Sequence, residues 1–421
     1  MSETWAKVRR RLRHVAAERQ LGSQLVRVGA YLESLPSPQD QAQPVLFFNA
    51  STRIHRLSLN GAFSLLASWG LRARGASVKT VVCQQGMVQC VLGALWNQPS
   101  TPPPCGQCIA YSLKLFASDT VVPLTLDAGV AQAVERDLSD LPLEALQTWE
   151  SDHLPLGELC LPSVRWVLRR HHLADDETTR GLYRRYLASA VSLVGRFQTL
   201  FEAEAPRALV IFNGLTYPEA VARAAAEARG IPVVTHEVGM RPFSAFFSHD
   251  EATFRQVPLE DGARLSAEQD ALLDAYLDQR RRGRFSMAGV EFWPDIQELP
   301  RSVADAGGEN GRLVTVFTNV IFDTSQVHAN TLFDDMFDWL GALSRQISRH
   351  PETQFVIRAH PDEDRPGKAS RESVADWIQA AGWLDLPNVT FFSPSDYVSS
   401  YELVKRSRLV LVYSSSIGLE A

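Results

Sequence analysis

The sequence predicts an α/β protein made of two doubly wound, Rossmann-type domains facing a cleft, and three observations carry that expectation. Short apolar runs of four or five residues alternate with helical segments, the pattern of strands buried on both faces of a parallel sheet. The alternation occurs twice, first between Val45 and His236 and again between Leu313 and Tyr413. With 421 residues, 45% hydrophobic and 21% charged, the chain can bury two such cores and has neither a disordered nor a fibrous composition.

Residues 1–40 read as a basic helical extension, with Lys7, Arg9, Arg10, Arg11 and Arg13 interleaved with Trp5, Val8, Leu12 and Val15. Such a helix either packs as a solvated element or lies on an anionic membrane surface. An N-terminal domain is expected over 41–300. Its strand Val45–Phe48, helix Leu59 to about Arg74 and strand Val78–Val82 make a βαβ unit. A cysteine-bearing insert follows at 83–108, then mainly helical sequence over 110–204. Ala208–Phe212 is the next strand, Asn213-Gly214 a turn, Tyr217–Arg229 an Ala-rich helix closed by Gly230, and Val233–His236 a strand.

Gly307–Gly311 reads as the linker to a C-terminal domain over 311–421. There the strands are Leu313–Asn319, Phe355–Arg358, Val389–Phe392 and Leu409–Tyr413, separated by helices Leu332–Arg349, Ser373–Ala381 and Val398–Lys405. The pattern stops at Ile417–Ala421, where a further helix would begin, so this domain is expected to be incomplete.

Charge and composition narrow the function. Lys and Arg total 42 against 48 Asp and Glu, so there is no general phosphate-attracting field and nucleic acid is excluded as the main partner. No apolar stretch approaches the ~20 residues of a membrane span, and no signal peptide is visible. The expected location is the cytoplasm, with the basic N-terminus offering a peripheral contact at the inner face of the membrane. Neither G-x-G-x-x-G nor G-x-x-x-x-G-K-[ST] occurs, which disfavours NAD enzymes and P-loop NTPases.

In open α/β sheets ligands bind beyond the carboxyl ends of the strands. Polar clusters stand at those ends in the second half: Thr318 and Asn319, then Arg358 and His360-Pro361, then Ser414, Ser415 and Ser416 before a helix start. Hydroxyls, backbone N–H groups, imidazole and guanidinium together suit a phosphate. In the first half, His236 and Glu237 end a strand and either provide a general base for an acceptor hydroxyl or form a structural pair. Asn213-Gly214 and Glu219 either hold a sugar hydroxyl or make a simple turn.

Cys83, Cys90, Cys105 and Cys108 are spaced C-x6-C-x14-C-x2-C. Four thiolates could hold a structural zinc or an iron–sulfur cluster, and unliganded buried thiols are the alternative. No catalytic metal is expected, because four protein thiolates leave no open position.

The segments F-T-N-V-I-F-D-T-S (317–325), I-R-A-H-P-D-E (357–363), N-V-T-F-F-S-P-S-D-Y-V-S-S-Y (388–401) and V-L-V-Y-S-S-S-I-G-L-E-A (410–421) resemble the bacterial capsule polysaccharide biosynthesis proteins, glycosyltransferase-like enzymes of the GT-B fold. The His-Pro and Ser-Ser motifs are similar to those of bacterial sialyltransferases and Kdo transferases, and of CDP-glycerol glycerophosphotransferases. The resemblance implies a GT-B fold and transfer from a nucleotide-sugar donor to a glycan or lipid-linked glycan. It also implies that Arg358, His360 and Ser414–Ser416 hold the donor phosphate, with no cofactor needed for catalysis. Glu237-Val-Gly239 partly resembles the acidic base motif of the sialyltransferases, with Val238 in place of its second acid. Glycerol-phosphate transfer, and a non-catalytic assembly protein that keeps the fold, are the alternatives.

Overall fold

Val45-Leu-Phe-Phe48 is apolar at every position, so it can be buried only from both sides. In the computed structural model, which describes residues 3–36, 43–52, 57–117, 119–241, 243–249, 261–282, 286–287, 290–291, 298–307, 311–367 and 369–421, it is a central strand. β1 (Val45–Phe48) pairs in parallel with β2 (Val78–Cys83) on one side and β4 (Ala208–Phe212) on the other. β3 (Thr120–Leu124) extends the sheet beyond β2, and β5 (Val233–Val238) extends it beyond β4. β6 (Ala245–Ser248) closes the far edge antiparallel to β5, giving the order β3-β2-β1-β4-β5-β6. Leu46 and Phe48 join Leu209 and Ile211 in one core, while Phe47 packs with Val78 and Val210 on the other face, the period-two signature of a strand.

The helices of this half are α1 (Glu3–Glu33), α2 (Leu59–Ala73), α3 (Cys105–Leu115), α4 (Ala128–Asp137), α5 (Leu143–Gln147), α6 (Leu156–Leu168), α7 (Glu177–Glu204) and α8 (Tyr217–Glu227). α7 begins where the Asp176 carboxylate accepts from the Thr179 N–H at 2.8 Å, an N-cap. Its Tyr183, Tyr186, Leu187 and Phe197 are fully buried, each removal from water stabilising the fold by roughly 1.5–3 kcal/mol. The later part of α1 packs Leu21 and Leu25 against Leu65 and Phe116. The basic side chains Lys7, Arg9, Arg10, Arg11 and Arg13 lie outside the described residues. Among the described residues no helix is long and apolar enough to cross a membrane.

β3 is a strand within the stretch 110–204, which reads as mainly helical in the sequence. Its Thr-Val-Val-Pro-Leu run sits at the sheet edge, where Pro123 forfeits no ladder bond that the sheet needs. After β6 come α9 (Ala267–Arg281), a two-residue hairpin of β7 (Ser286–Met287) and β8 (Val290–Glu291), and α10 (Arg301–Ala306).

The second sheet repeats the topology of the first. β9 (Leu313–Phe317) is flanked by β10 (Gln354–Arg358) and β12 (Leu409–Val412), with β11 (Val389–Phe392) beyond β10, all parallel. The order β11-β10-β9-β12 matches β3-β2-β1-β4, so each sheet reverses its strand order beside its first strand. Four helices accompany it: α11 (Met336–Arg349), α12 (Val374–Ala380), α13 (Ser400–Arg406) and α14 (Ile417–Glu420). α11 starts later than the periodicity suggests because Asp335 caps it, its carboxylate accepting from the N–H groups of Phe337 and Asp338. Two separate sheets in Rossmann order, parallel except for the edge strand β6, make the fold α/β and GT-B-like.

The glycine run at 307–311 does not part the two halves. Val303, before it, is fully buried with Leu313, Phe317 and Val356, after it. A Cβ on Gly307 would meet the Arg406 Cβ at 2.7 Å, so glycine there serves a close approach to α13. Residues 308–310 lie outside the described residues.

Candidate functional site

The carboxyl ends of β9, β10 and β12 converge on one pocket of about 160 Å³. Thr318, Arg358, His360, Ser415 and Ser416 line it, so five of the strand-end residues picked out in the sequence meet although up to 98 positions separate them. The pocket stands at the switch point of the second sheet, between β9 and β12, where a crevice is required by the reversal of connections.

Each lining group has a local cause. The Arg358 side chain is buried, and its Nη1 donates to the Ser393 carbonyl at the end of β11. Burial lowers its pKa to about 10, which keeps it cationic at neutral pH. His360 precedes Pro361 and caps a short 3₁₀ turn: its Nδ1 accepts the Asp362 N–H at 3.1 Å. An accepting Nδ1 on a neutral ring puts the proton on Nε2, making that atom a donor. Burial lowers the His360 pKa, with Asp362 and Asp323 opposing, and so favours the neutral ring. The Ser416 side chain makes no cap bond to α14, which leaves its hydroxyl for the pocket.

Asn319 and Ser414 do not line the pocket; they hold it together. The Asn319 amide donates to the Ser414 carbonyl at 2.8 Å, and Ser414 adopts a left-handed φ of 45°. These two are positioning residues, which corrects their expected direct role.

Three residues outside the sequence expectation complete the wall. Arg280 reaches in from α9 and pairs with Glu420 at 3.0 Å, both side chains only 5% exposed. The Tyr401 hydroxyl donates to Glu420 and lies 3.4 Å from Arg280 Nη1. Glu420 fell within a quoted motif; Arg280 stands 140 positions earlier, and only the packing of α9 on the second half reveals it.

The acceptor-side residues divide. His236 is fully buried, its Nε2 hydrogen-bonds Asn49 Oδ1 at 2.9 Å, and Phe212 and Phe247 pack on its ring. A ring without exposure cannot meet an acceptor, so His236 is structural, a correction of its expected base role. Glu237 is partly exposed and receives three N–H donors: Asn60 and Val238 on Oε1, and Asn213 on Oε2. It does not line the pocket of the second sheet. Glu219 is fully buried, accepts from Ser51 N–H and Thr216 Oγ1, and is raised by burial to about 7.

Cys83, Cys90, Cys105 and Cys108 surround one small apolar cavity together with Met87, Leu92 and Pro104. All are free thiols. Burial raises Cys83 to about 11, and raises Cys90 further and Cys105 as well. Among the described residues, no three of the cysteines bring their sulfurs within 4.8 Å of one another, so this donor set does not fit a zinc or iron–sulfur site. Met87, Leu92, Pro103, Pro104 and Ile109 stand among the thiols in that lining, and the cavity they enclose is apolar.

The fold and this pocket define a class: a Rossmann-type α/β protein with a cationic, hydroxyl-lined pocket at a sheet's switch point. No protein-family model matches the chain, and no curated protein matches it. Similar solved structures include a UDP-GlcNAc 2-epimerase from Neisseria meningitidis bound to UDP-GlcNAc, at 12% identity over 89% of this chain and 78% of that one, TM-score 0.24. Another is the Methanocaldococcus jannaschii UDP-GlcNAc 2-epimerase, at 8% identity over 88% and 78%, TM-score 0.25. A third is the glycotransferase of kitacinnamycin, at 12% over 90% and 77%, TM-score 0.22. With TM-scores of 0.25 and below, none bears on what this chain does; the functional reading rests on its own residues.

Proposed function

We propose that the chain is a glycosyltransferase-like enzyme that takes a sugar from a nucleotide-activated donor, in bacterial surface polysaccharide synthesis. The observation that carries this reading is the convergence of Thr318, Arg358, His360, Ser415 and Ser416 on one pocket at the switch point. In it, the His360 Nε2–H and the serine and threonine hydroxyls donate to the donor's phosphate. Arg358 supplies charge as the nucleotide leaves, the electrostatic stabilisation such a departure needs. Glu237 is the carboxylate available to an acceptor hydroxyl, which belongs to a glycan or lipid-linked glycan. The basic stretch Lys7–Arg13 would bring the enzyme to the membrane that carries a lipid-linked acceptor.

The three N–H donors on Glu237 favour a second reading, because they occupy both carboxylate oxygens that a base would turn toward an acceptor hydroxyl. That reading is a nucleotide-binding assembly protein without transfer. A thermal-shift panel of CMP, CDP, UDP and GDP, followed by donor-consumption assays with the activated sugars of the binding nucleotide, separates the two. Stabilisation with consumption supports the enzyme, and stabilisation alone supports the assembly protein. Absence of stabilisation by every nucleotide overturns both.

A further inference from the structure

Where the two halves meet, outside the lining of that pocket, the loop after α6 places His171 and His172 against the start of α11. His172 Nε2 lies 3.0 Å from Asp335 Oδ2, and its Nδ1 lies 3.1 Å from Glu372 Oε1. The Glu372 Oε2 also receives the backbone N–H groups of His171 and His172, at 2.7 and 3.1 Å, which fixes that carboxylate. Asp335 uses Oδ1 to cap α11, so Oδ2 faces the imidazole.

These contacts pose a charge problem. A neutral imidazole carries one proton, and if Nδ1–H donates to Glu372, Nε2 presents a lone pair to the Asp335 carboxylate. Two lone pairs 3.0 Å apart repel unless a cation lies between them. A proton would serve, but His171 contributes a third ligand atom. The donor atoms of His171, His172 and Asp335 all lie within 4.8 Å of one another, the one such group among the described residues.

We propose that His171, His172 and Asp335 form a divalent transition-metal site, zinc by its nitrogen and oxygen donors, that clamps the two halves together. Around a tetrahedral zinc with bonds of 2.0–2.1 Å, ligand atoms sit about 3.3 Å apart, close to the His172–Asp335 separation. Glu372 then plays the outer carboxylate that orients a ligating histidine through its other nitrogen. The exposed His172 ring leaves an entry path from solvent. The fourth position is open to water, and no reaction step is assigned to the metal.

The test uses full-length protein stripped with a chelator, then titrated with Zn²⁺ and, separately, with Co²⁺. The expected result is one equivalent bound and a melting temperature raised by about 3 °C at a hundredfold excess over Kd. Co²⁺ should give the intense visible bands of four-coordinate geometry. His171→Gln and His172→Gln should each weaken binding at least about tenfold while melting like the metal-free wild type. Wild-type metal affinity in either variant would overturn the three-ligand site. So would a wild type that binds neither metal; the cation between His172 and Asp335 would then be a proton.

Discussion

The side-chain amide of Asn319 donates to the main-chain carbonyl of Ser414 at 2.8 Å, tying the end of β9 to the end of β12 across the switch point. The same amide reaches Ser325 Oγ at 3.2 Å, and Asn319 Oδ1 accepts the Val320 N–H at 2.8 Å. One buried side chain thus sets the serine turn relative to Thr318.

Asn319→Leu should therefore cost about 1–3 kcal/mol of stability, the penalty of leaving the Ser414 carbonyl and the Val320 N–H unmet. It should also lower nucleotide affinity, because Ser415 and Ser416 lose their anchor. Urea unfolding beside calorimetric titration checks both. Unchanged stability would mean the turn holds its place without Asn319.

Arg280 and Glu420 make the second tie, a buried pair between α9 and the pocket wall. Removing one partner strands the other charge, so Glu420→Ala and Arg280→Ala should each cost about 3–5 kcal/mol. The double variant should cost well under the sum. Additive single effects in a double-mutant cycle would show that the pair is not coupled.

Glu363 gives a pH signature. Burial raises its carboxyl to about 8 from an ordinary 4.5, while its Oε1 accepts the Val374 N–H at 2.8 Å. Between those pH values the folded chain keeps a proton that the unfolded chain releases. The stability that this proton confers is whole below about pH 4.5 and lost as pH rises through about 8. Glu363→Gln is neutral throughout, so it should track the wild type near pH 5 and become the more stable protein toward pH 8. The difference should grow by up to about 1.4 kcal/mol per pH unit. A difference that is flat with pH would show that the carboxyl titrates normally.

The cysteines should behave as buried thiols. With Cys83 raised to about 11 and Cys90 higher still, alkylation of the native protein at pH 8 should be slow and should accelerate on denaturation. Cys83→Ser combined with Cys108→Ser should leave the zinc content of the protein unchanged. Loss of bound zinc in that double variant, measured by elemental analysis, would return the metal to the cysteines.

How much of this was legible depended on whether the signal was local. β1, β4, β9 and β10 announce themselves as apolar runs because parallel strands are buried on both faces. β3 and β6 do not, since one edge strand is interrupted by Pro123 and the other is four residues of mixed exposure. The pocket was readable because strand-end position is a topological rule, and Thr318, Arg358, His360, Ser415 and Ser416 obey it. His236 obeys the same rule and yet is buried, because Phe212 and Phe247 close over it from neighbouring strands. Arg280, and the meeting of His172 with Asp335 across 163 positions, depend on how the halves dock, which no local pattern encodes.

His360 is the most direct test of the proposed donor site. Its Nδ1 is committed to the Asp362 N–H, so Nε2–H is the one donor the neutral ring can offer a phosphate. A hydrogen bond to a charged phosphate is worth about 1.5–3 kcal/mol, so His360→Ala should weaken nucleotide binding or turnover roughly tenfold to a hundredfold. Losing the cap on the 3₁₀ turn should cost about 0.5–2 kcal/mol of stability, a separate and smaller effect. His360→Asn distinguishes the two, because its amide can restore the cap or the donor but not both from one position. It should recover stability more fully than affinity. If both variants bind the nucleotide with wild-type affinity, the phosphate sits elsewhere, and the transferase reading loses its supporting site.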